Sequence, residues 1–248
     1  MTIDSIRLIL KKTHDVCASG NPRLAVVCIH GIAADSSSYD KALAYWEGEE
    51  SLRDVRFITF DLLGAGKSMS SDEFKYNYKE QVEALANSID DLKLDVPLVL
   101  VGHSMGTLIA TRYADTYKKS VSKLILISPP VYTEKDLDSP LFAEGMKAFQ
   151  EAVKAKSRAK TDSRQFEASI KYIVSDRRNY KVLAELTTLA VLIYGGKDTI
   201  IAPYNIPKIL TDNPDHLSAI KTEGLHGISI DKYTKVPKIL RDALGEVS

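Results

Sequence analysis

The sequence predicts an α/β protein: a mostly parallel sheet with helices on both faces and a helical segment inserted near its middle. Three observations lead there. Residues 25–29, 97–101, 123–127 and 190–194 are nearly continuous apolar runs, the pattern of parallel strands buried on both faces. Helix-period segments alternate with these runs, as right-handed crossovers require. The alternation then breaks at Pro129-Pro130, because proline cannot continue a ladder, and resumes only near residue 189.

Taken in order, residues 6–10 read as a first strand and 13–18 as a candidate for a second. Strands follow at 25–29 and 55–60. Val82, Leu85, Ala86, Ile89 and Leu92 then fall on one helix face. The strand at 97–101 leads into a helix at 107–113, and 123–127 is the next strand. Beyond Pro129-Pro130, Phe142, Met146, Phe149 and Val153 recur at helical spacing, as do Phe166, Ile170 and Ile173, with a polar stretch at 157–163 between them. Strands at 190–194 and 217–221 and a helix at 234–244, with Val236, Ile239, Leu240 and Ala243 on one face, complete the chain. The expected organisation is one core, 1–130 plus 189–248, interrupted by a helical insertion at 131–188.

Composition narrows the function classes. The chain has 248 residues, of which 44% are hydrophobic, enough for a core without disulfides or metals. Lys plus Arg is 33 and Asp plus Glu is 33, so no net charge favours nucleic acid as a partner. Cys17 and Cys28 form no disulfide framework, although a bridge between them is conceivable, and a reducing compartment is expected. Residues 1–7 lack a basic-then-apolar leader, and no run approaches the roughly 20 apolar residues of a membrane span. A cytoplasmic protein is expected; nothing in the composition sets an oligomeric state.

The most informative motif is Gly102-His103-Ser104-Met105-Gly106, placed between a strand and a helix. A serine on so sharp a turn is lifted clear of the sheet, and the flanking glycines remove side chains that would collide there. The Met105 N–H opens a helix, where an oxyanion is stabilised. A serine hydroxyl needs a base to take its proton. Of the five histidines, His30 and His103 belong to tight turns, His14 lies too early, and His216 precedes the strand at 217–221. His226 follows that strand, at the edge where open α/β sheets carry their sites. Asp198, after the strand at 190–194, and Asp61, after the strand at 55–60, are the rival acids. The run Gly64–Ser68 lacks both the P-loop spacing and the third glycine of a dinucleotide fingerprint, so no cofactor is implied.

These blocks together resemble the α/β-hydrolase superfamily. His30-Gly31-Ile32 after the strand at 25–29, Asp61-Leu62-Leu63-Gly64-Ala65-Gly66-Lys67-Ser68, Gly195-Gly196-Lys197-Asp198 and Gly224-Leu225-His226-Gly227 are similar to its motifs, in the order Ser, Asp, His. The resemblance implies Ser104 as nucleophile, His226 as base and Asp198 as the acid that orients it. It implies an oxyanion hole from the N–H groups of Met105 and Ile32, or Ala33 if the loop is displaced by one residue. Asp61 would hold loop N–H groups, and the insertion 131–188 would form a helical cap. Ala33, Phe142, Met146 and Phe149 are the expected substrate-binding residues.

The activity this implies is that of a cofactor-free serine hydrolase cleaving an ester or related acyl bond of a small, largely apolar molecule. Other reactions share the constellation: C–C bond hydrolysis, lyase, acyltransferase or perhydrolase chemistry. A non-enzymatic ligand receptor on the same scaffold is the alternative from another class.

Overall fold

The computed structural model describes residues 6–118, 120–155 and 162–246. Most of the polar stretch at 157–163 therefore lies outside the described residues. The strands are β1 (Lys11–Cys17), β2 (Leu24–Ile29), β3 (Val55–Asp61), β4 (Leu98–His103), β5 (Lys123–Ile127), β6 (Ala190–Gly195) and β7 (Leu217–Thr222). The helices are α1 (Asp40–Glu47), α2 (Tyr78–Asp90), α3 (Met105–Thr116), α4 (Glu134–Leu137), α5 (Pro140–Ala155), α6 (Ser163–Ser169), α7 (Asn179–Ala184), α8 (Ile206–Asp212), α9 (Ile230–Tyr233) and α10 (Val236–Gly245). A π-helical turn, Ile170–Val174, continues α6.

The strands form one seven-stranded sheet in the order β1-β3-β2-β4-β5-β6-β7, parallel except for β1. Alternate residues serve its two faces. Ala25, Val27 and Ile29 of β2 join one core with Leu100 and Leu126, while Val26 and Cys28 join the other with Val101 and Trp46. Both faces are buried, which is why β2 reads as an unbroken apolar run. The chain leaves β2 towards β3 on one side and returns to β4 on the other, so the crevice at the carboxyl ends of β2 and β4 is the switch point where such sheets bind ligands.

One expectation needs correction. Residues 6–10 are not a strand; the antiparallel edge strand is β1, which overlaps the second candidate segment but begins two residues before it. Helix α2 takes the hydrogen-bonding groups that a strand would use. Asn87 Nδ2 donates to the Leu8 carbonyl at 2.9 Å, and the Leu10 N–H donates to Ser88 Oγ at 2.8 Å. Leu8 and Leu10 are buried in the core instead of alternating in a ladder. β1 is fastened to β3 by Asp15, which accepts from Arg56 Nε and Nη2 at 2.7 and 2.9 Å. Both cysteines are free thiols, Cys28 buried and Cys17 part-exposed.

Between β5 and β6 the described residues are helical segments and their connections. A capping box starts α4: Asp136 and Thr133 satisfy each other's backbone N–H groups. Among the described residues no helix is long and apolar enough to cross a membrane.

Candidate active site

Register brings the site together. Ile29 of β2 is level with Gly102 of β4, so the loop beginning at His30 emerges beside the turn carrying Ser104. Ser104 has φ 51° and ψ −121°, a conformation costing on the order of 1–3 kcal/mol that its neighbours must enforce. Its N–H donates to the Ile127 carbonyl at 2.9 Å, and the Thr107 N–H and Oγ1 donate to the Ser104 carbonyl at 2.9 and 2.6 Å. A Cβ on Gly106 would fall on the Ile29 carbonyl oxygen, and one on Gly102 would stand 2.6 Å from the Thr107 N and Cα. These close approaches are the physical reason for both glycines.

Ser104 Oγ lies 2.8 Å from His226 Nε2, and His226 Nδ1 lies 3.0 Å from Asp198 Oδ2. Burial is the largest influence on Asp198 and opposes its ionisation. The His226 imidazole and the N–H groups of Ile200 and Ile201 outweigh it together and hold the carboxyl below its usual value. Asp61 is elsewhere: its Oδ1 accepts the Ser36 N–H at 2.9 Å and its Oδ2 the Lys67 N–H at 2.8 Å, joining two loops. His216 bonds Asn213 Oδ1 at 3.0 Å, away from the serine. His14 is on β1, against Glu47.

Met105 is the first residue of α3, where backbone N–H groups lack intrahelical acceptors. Ile32 lines the same cavity as Ser104. That cavity, about 20 Å³, is walled by Met146 and Phe149 of α5, Ile170 and Val174, with Tyr132 and Ile200 at its side. Phe142 instead lines an adjoining open groove of about 210 Å³, which shares Tyr132, Met146, Ile200 and Ile201 with the first. Ala33, at φ 56°, lines neither.

Tyr132 and Lys232 join the site with no motif to mark them. Tyr132 donates its hydroxyl to the Ile200 carbonyl, joining the segment after β5 to the Asp198 loop. The signal for Ile200 and Ile201 is two large apolar residues directly after an acidic turn, with Ile200 still 37% exposed. Lys232, fully buried, lies behind the His226 loop. Among the described residues no group of three or more His, Cys, Asp or Glu is arranged to hold a metal.

Residues 25–179 match the family described as alpha/beta hydrolase fold. The chain belongs to that family. Among curated proteins it is 29% identical over 134 residues to the "probable lysophospholipase BODYGUARD 5" of Arabidopsis thaliana, covering 53% of this chain and 30% of the relative. To BODYGUARD 1 of the same plant it is 31% identical over 108 residues, 44% of this chain and 23% of the relative. The chain thus spans less than a third of the length of these relatives. Solved structures share the fold over nearly the whole chain. The esterase of Exiguobacterium antarcticum superposes with a TM-score of 0.71 at 21% identity, covering 98% of this chain and 97% of that one. The monoacylglycerol lipase of Paleococcus ferrophilus gives 0.66 at 18%, covering 97% and 100%.

Proposed function

We propose that this chain is a cofactor-free serine hydrolase that cleaves an ester or related acyl bond of a small, largely apolar molecule. The observation that carries the reading is the unbroken hydrogen-bond line Ser104 Oγ–His226 Nε2, His226 Nδ1–Asp198 Oδ2, at 2.8 and 3.0 Å. Ser104 Oγ attacks the acyl carbon as His226 Nε2 takes its proton. Asp198 holds the Nδ1–H and stabilises the imidazolium. The carbonyl oxygen becomes an oxyanion facing the Met105 and Ile32 N–H groups, each such donor being worth about 3–4 kcal/mol. His226 returns the proton to the departing alcohol, leaving the acyl group on Ser104. Water then adds in the same way and releases the acid.

The apolar lining supports the substrate class. In this reading the open groove along α5 takes the bulk of the substrate, and the small apolar cavity beside Ser104, with room for about one water-sized group, faces the scissile bond. In this reading residues 131–188 act as a cap that selects the substrate, and the protein works in the cytoplasm. Relatives named lysophospholipase, esterase and lipase favour acyl-ester chemistry.

The test is a fluorophosphonate probe beside p-nitrophenyl esters of increasing acyl length. Single labelling that disappears in Ser104→Ala, with ester turnover lost in parallel, is expected. Labelling that survives Ser104→Ala refutes the nucleophile. Labelling without turnover of any acyl donor favours the receptor reading.

A further inference from the structure

Lys232 has no exposed surface, an unusual place for an ammonium. It sits on the short helix α9, and its three N–H donors meet three uncharged acceptors: Ser128 Oγ at 2.8 Å, the Gly227 carbonyl at 3.1 Å and the Leu225 carbonyl. The residue between those two carbonyls is His226. Its own carbonyl accepts the Ser128 hydroxyl at 2.8 Å and His103 Nε2–H at 3.1 Å. Three successive carbonyls of the loop carrying the imidazole are therefore bound by side chains from α9, from the end of β5 and from the turn before Ser104. This loop has no ladder of its own to fix it.

The donors are unambiguous. Lys232 can only donate, so Ser128 accepts from it and gives its hydroxyl proton to the His226 carbonyl. Ser128 reaches this position with φ 52°, a strained conformation for a serine. Carrying a charge into a fully enclosed site costs several kcal/mol unless every donor is satisfied. A lysine that only filled space would be better replaced by methionine.

We infer that Lys232, acting through Ser128 and the carbonyls of residues 225–227, is a positioning residue that sets the height and angle of the His226 ring over Ser104. The inference rests on the proposed role of His226. The lysine never touches substrate; it fixes the backbone from which the base projects. A displacement of about 1 Å in such a base costs on the order of 100-fold in rate.

The test compares Lys232→Met, which keeps the stem and removes the donors, with Ser128→Ala and the double variant. Lys232→Met should lower kcat about 10- to 100-fold, with KM within about threefold, and slow fluorophosphonate labelling by the same factor. Ser128→Ala should give a smaller loss, and the double variant no more than Lys232→Met alone, because both act through one loop. The second readout is the downfield NMR signal of the His226 Nδ1–H facing Asp198. It should shift or vanish in Lys232→Met and persist in Ser104→Ala.

A folded Lys232→Met protein with wild-type labelling rate and an unchanged His226 signal overturns the inference. If Lys232→Met does not fold, Ser128→Ala decides by the same two measurements. If the wild-type protein takes no probe, the hydrolase reading fails, while the His226 signal still decides what Lys232 does.

Discussion

The imidazole of His30 accepts the backbone N–H of Leu62 at 3.0 Å through Nε2, while its Nδ1–H donates to the Gly31 carbonyl at 2.8 Å. One fully buried ring therefore ties the loop after β2 to the loop after β3. The Ile32 N–H that would face an oxyanion is two residues along that loop. Asp61 adds a second tie, from the β3 end to Ser36. Neither side chain reaches the reacting atoms, yet both set where the Ile32 loop lies.

His30→Ala should accordingly lower kcat/KM by about 10- to 100-fold, part of the loss expected when an oxyanion donor is removed outright. It also leaves the Leu62 N–H unpaired, at about 1–3 kcal/mol of stability. Ester kinetics with a thermal melt on the same sample check both. Unchanged kinetics with a lowered melting temperature would make His30 a purely structural tie.

Asp198→Asn separates the two acids. Its carboxylate contacts His226, so the change should cut kcat by about 10³- to 10⁴-fold with a small effect on KM. Asp61→Asn touches only loop N–H groups and should cost about 1–3 kcal/mol of stability, with a kinetic loss no larger than that of His30→Ala and so well short of that of Asp198→Asn. Steady-state kinetics and denaturant melts of both variants decide. The reverse pattern would exchange their roles.

The cavity walls give a prediction about acyl length. Phe149→Ala and Met146→Ala enlarge the space beside Ser104 and should move the best p-nitrophenyl ester to a longer chain. Phe142→Ala alters the outer groove and should affect leaving-group preference more than acyl preference. A variant whose only change is lower stability, roughly 2–5 kcal/mol for a buried large-to-Ala substitution, marks a packing residue.

The pH dependence of stability has a definite source in His103. Loss of water around its ring, then the neighbouring His226, pushes it down to about 3 from 6.5. The folded protein thus keeps His103 neutral while the unfolded chain protonates it near 6.5. Between these values the unfolded state binds more protons, so stability falls as pH drops. The contribution is fully present above 6.5 and is lost progressively towards about 3, by at most about 1.4 kcal/mol per pH unit. His103→Gln, which cannot titrate, should show a flatter melting-temperature profile over that window. An identical slope would place the acid sensitivity in other groups.

Most of the fold is legible in the chain because burial on two faces leaves a one-dimensional mark. Residues 123–127 read as a strand and are one, and the stripe Val82, Leu85, Ala86 and Ile89 is the buried face of α2. The Gly-x-Ser-x-Gly turn is equally visible, since its glycines answer to clashes within a few residues or with the neighbouring strand. The N-terminal segment is less legible. Residues 6–10 read as a first strand and 13–18 only as a candidate for a second, yet the first is no strand, because Asn87 and Ser88, which lie far along the chain, take its hydrogen bonds.

By itself, then, the sequence determined the α/β architecture, the buried parallel strands and the candidates Ser104 and His226, because each depends on local pattern and chain order; between Asp198 and Asp61 it was the resemblance to the hydrolase motifs that chose. Only the tertiary structure decided the distances among them and the division of Met146, Phe149 and Phe142 between two cavities. It alone revealed that Lys232 is buried beneath the His226 loop. Those are contacts between residues distant in sequence. A lysine on a short polar helix carries no local sign that its nitrogen will close on the carbonyls of residues 225 and 227, because that depends on how α9 packs against the end of β5.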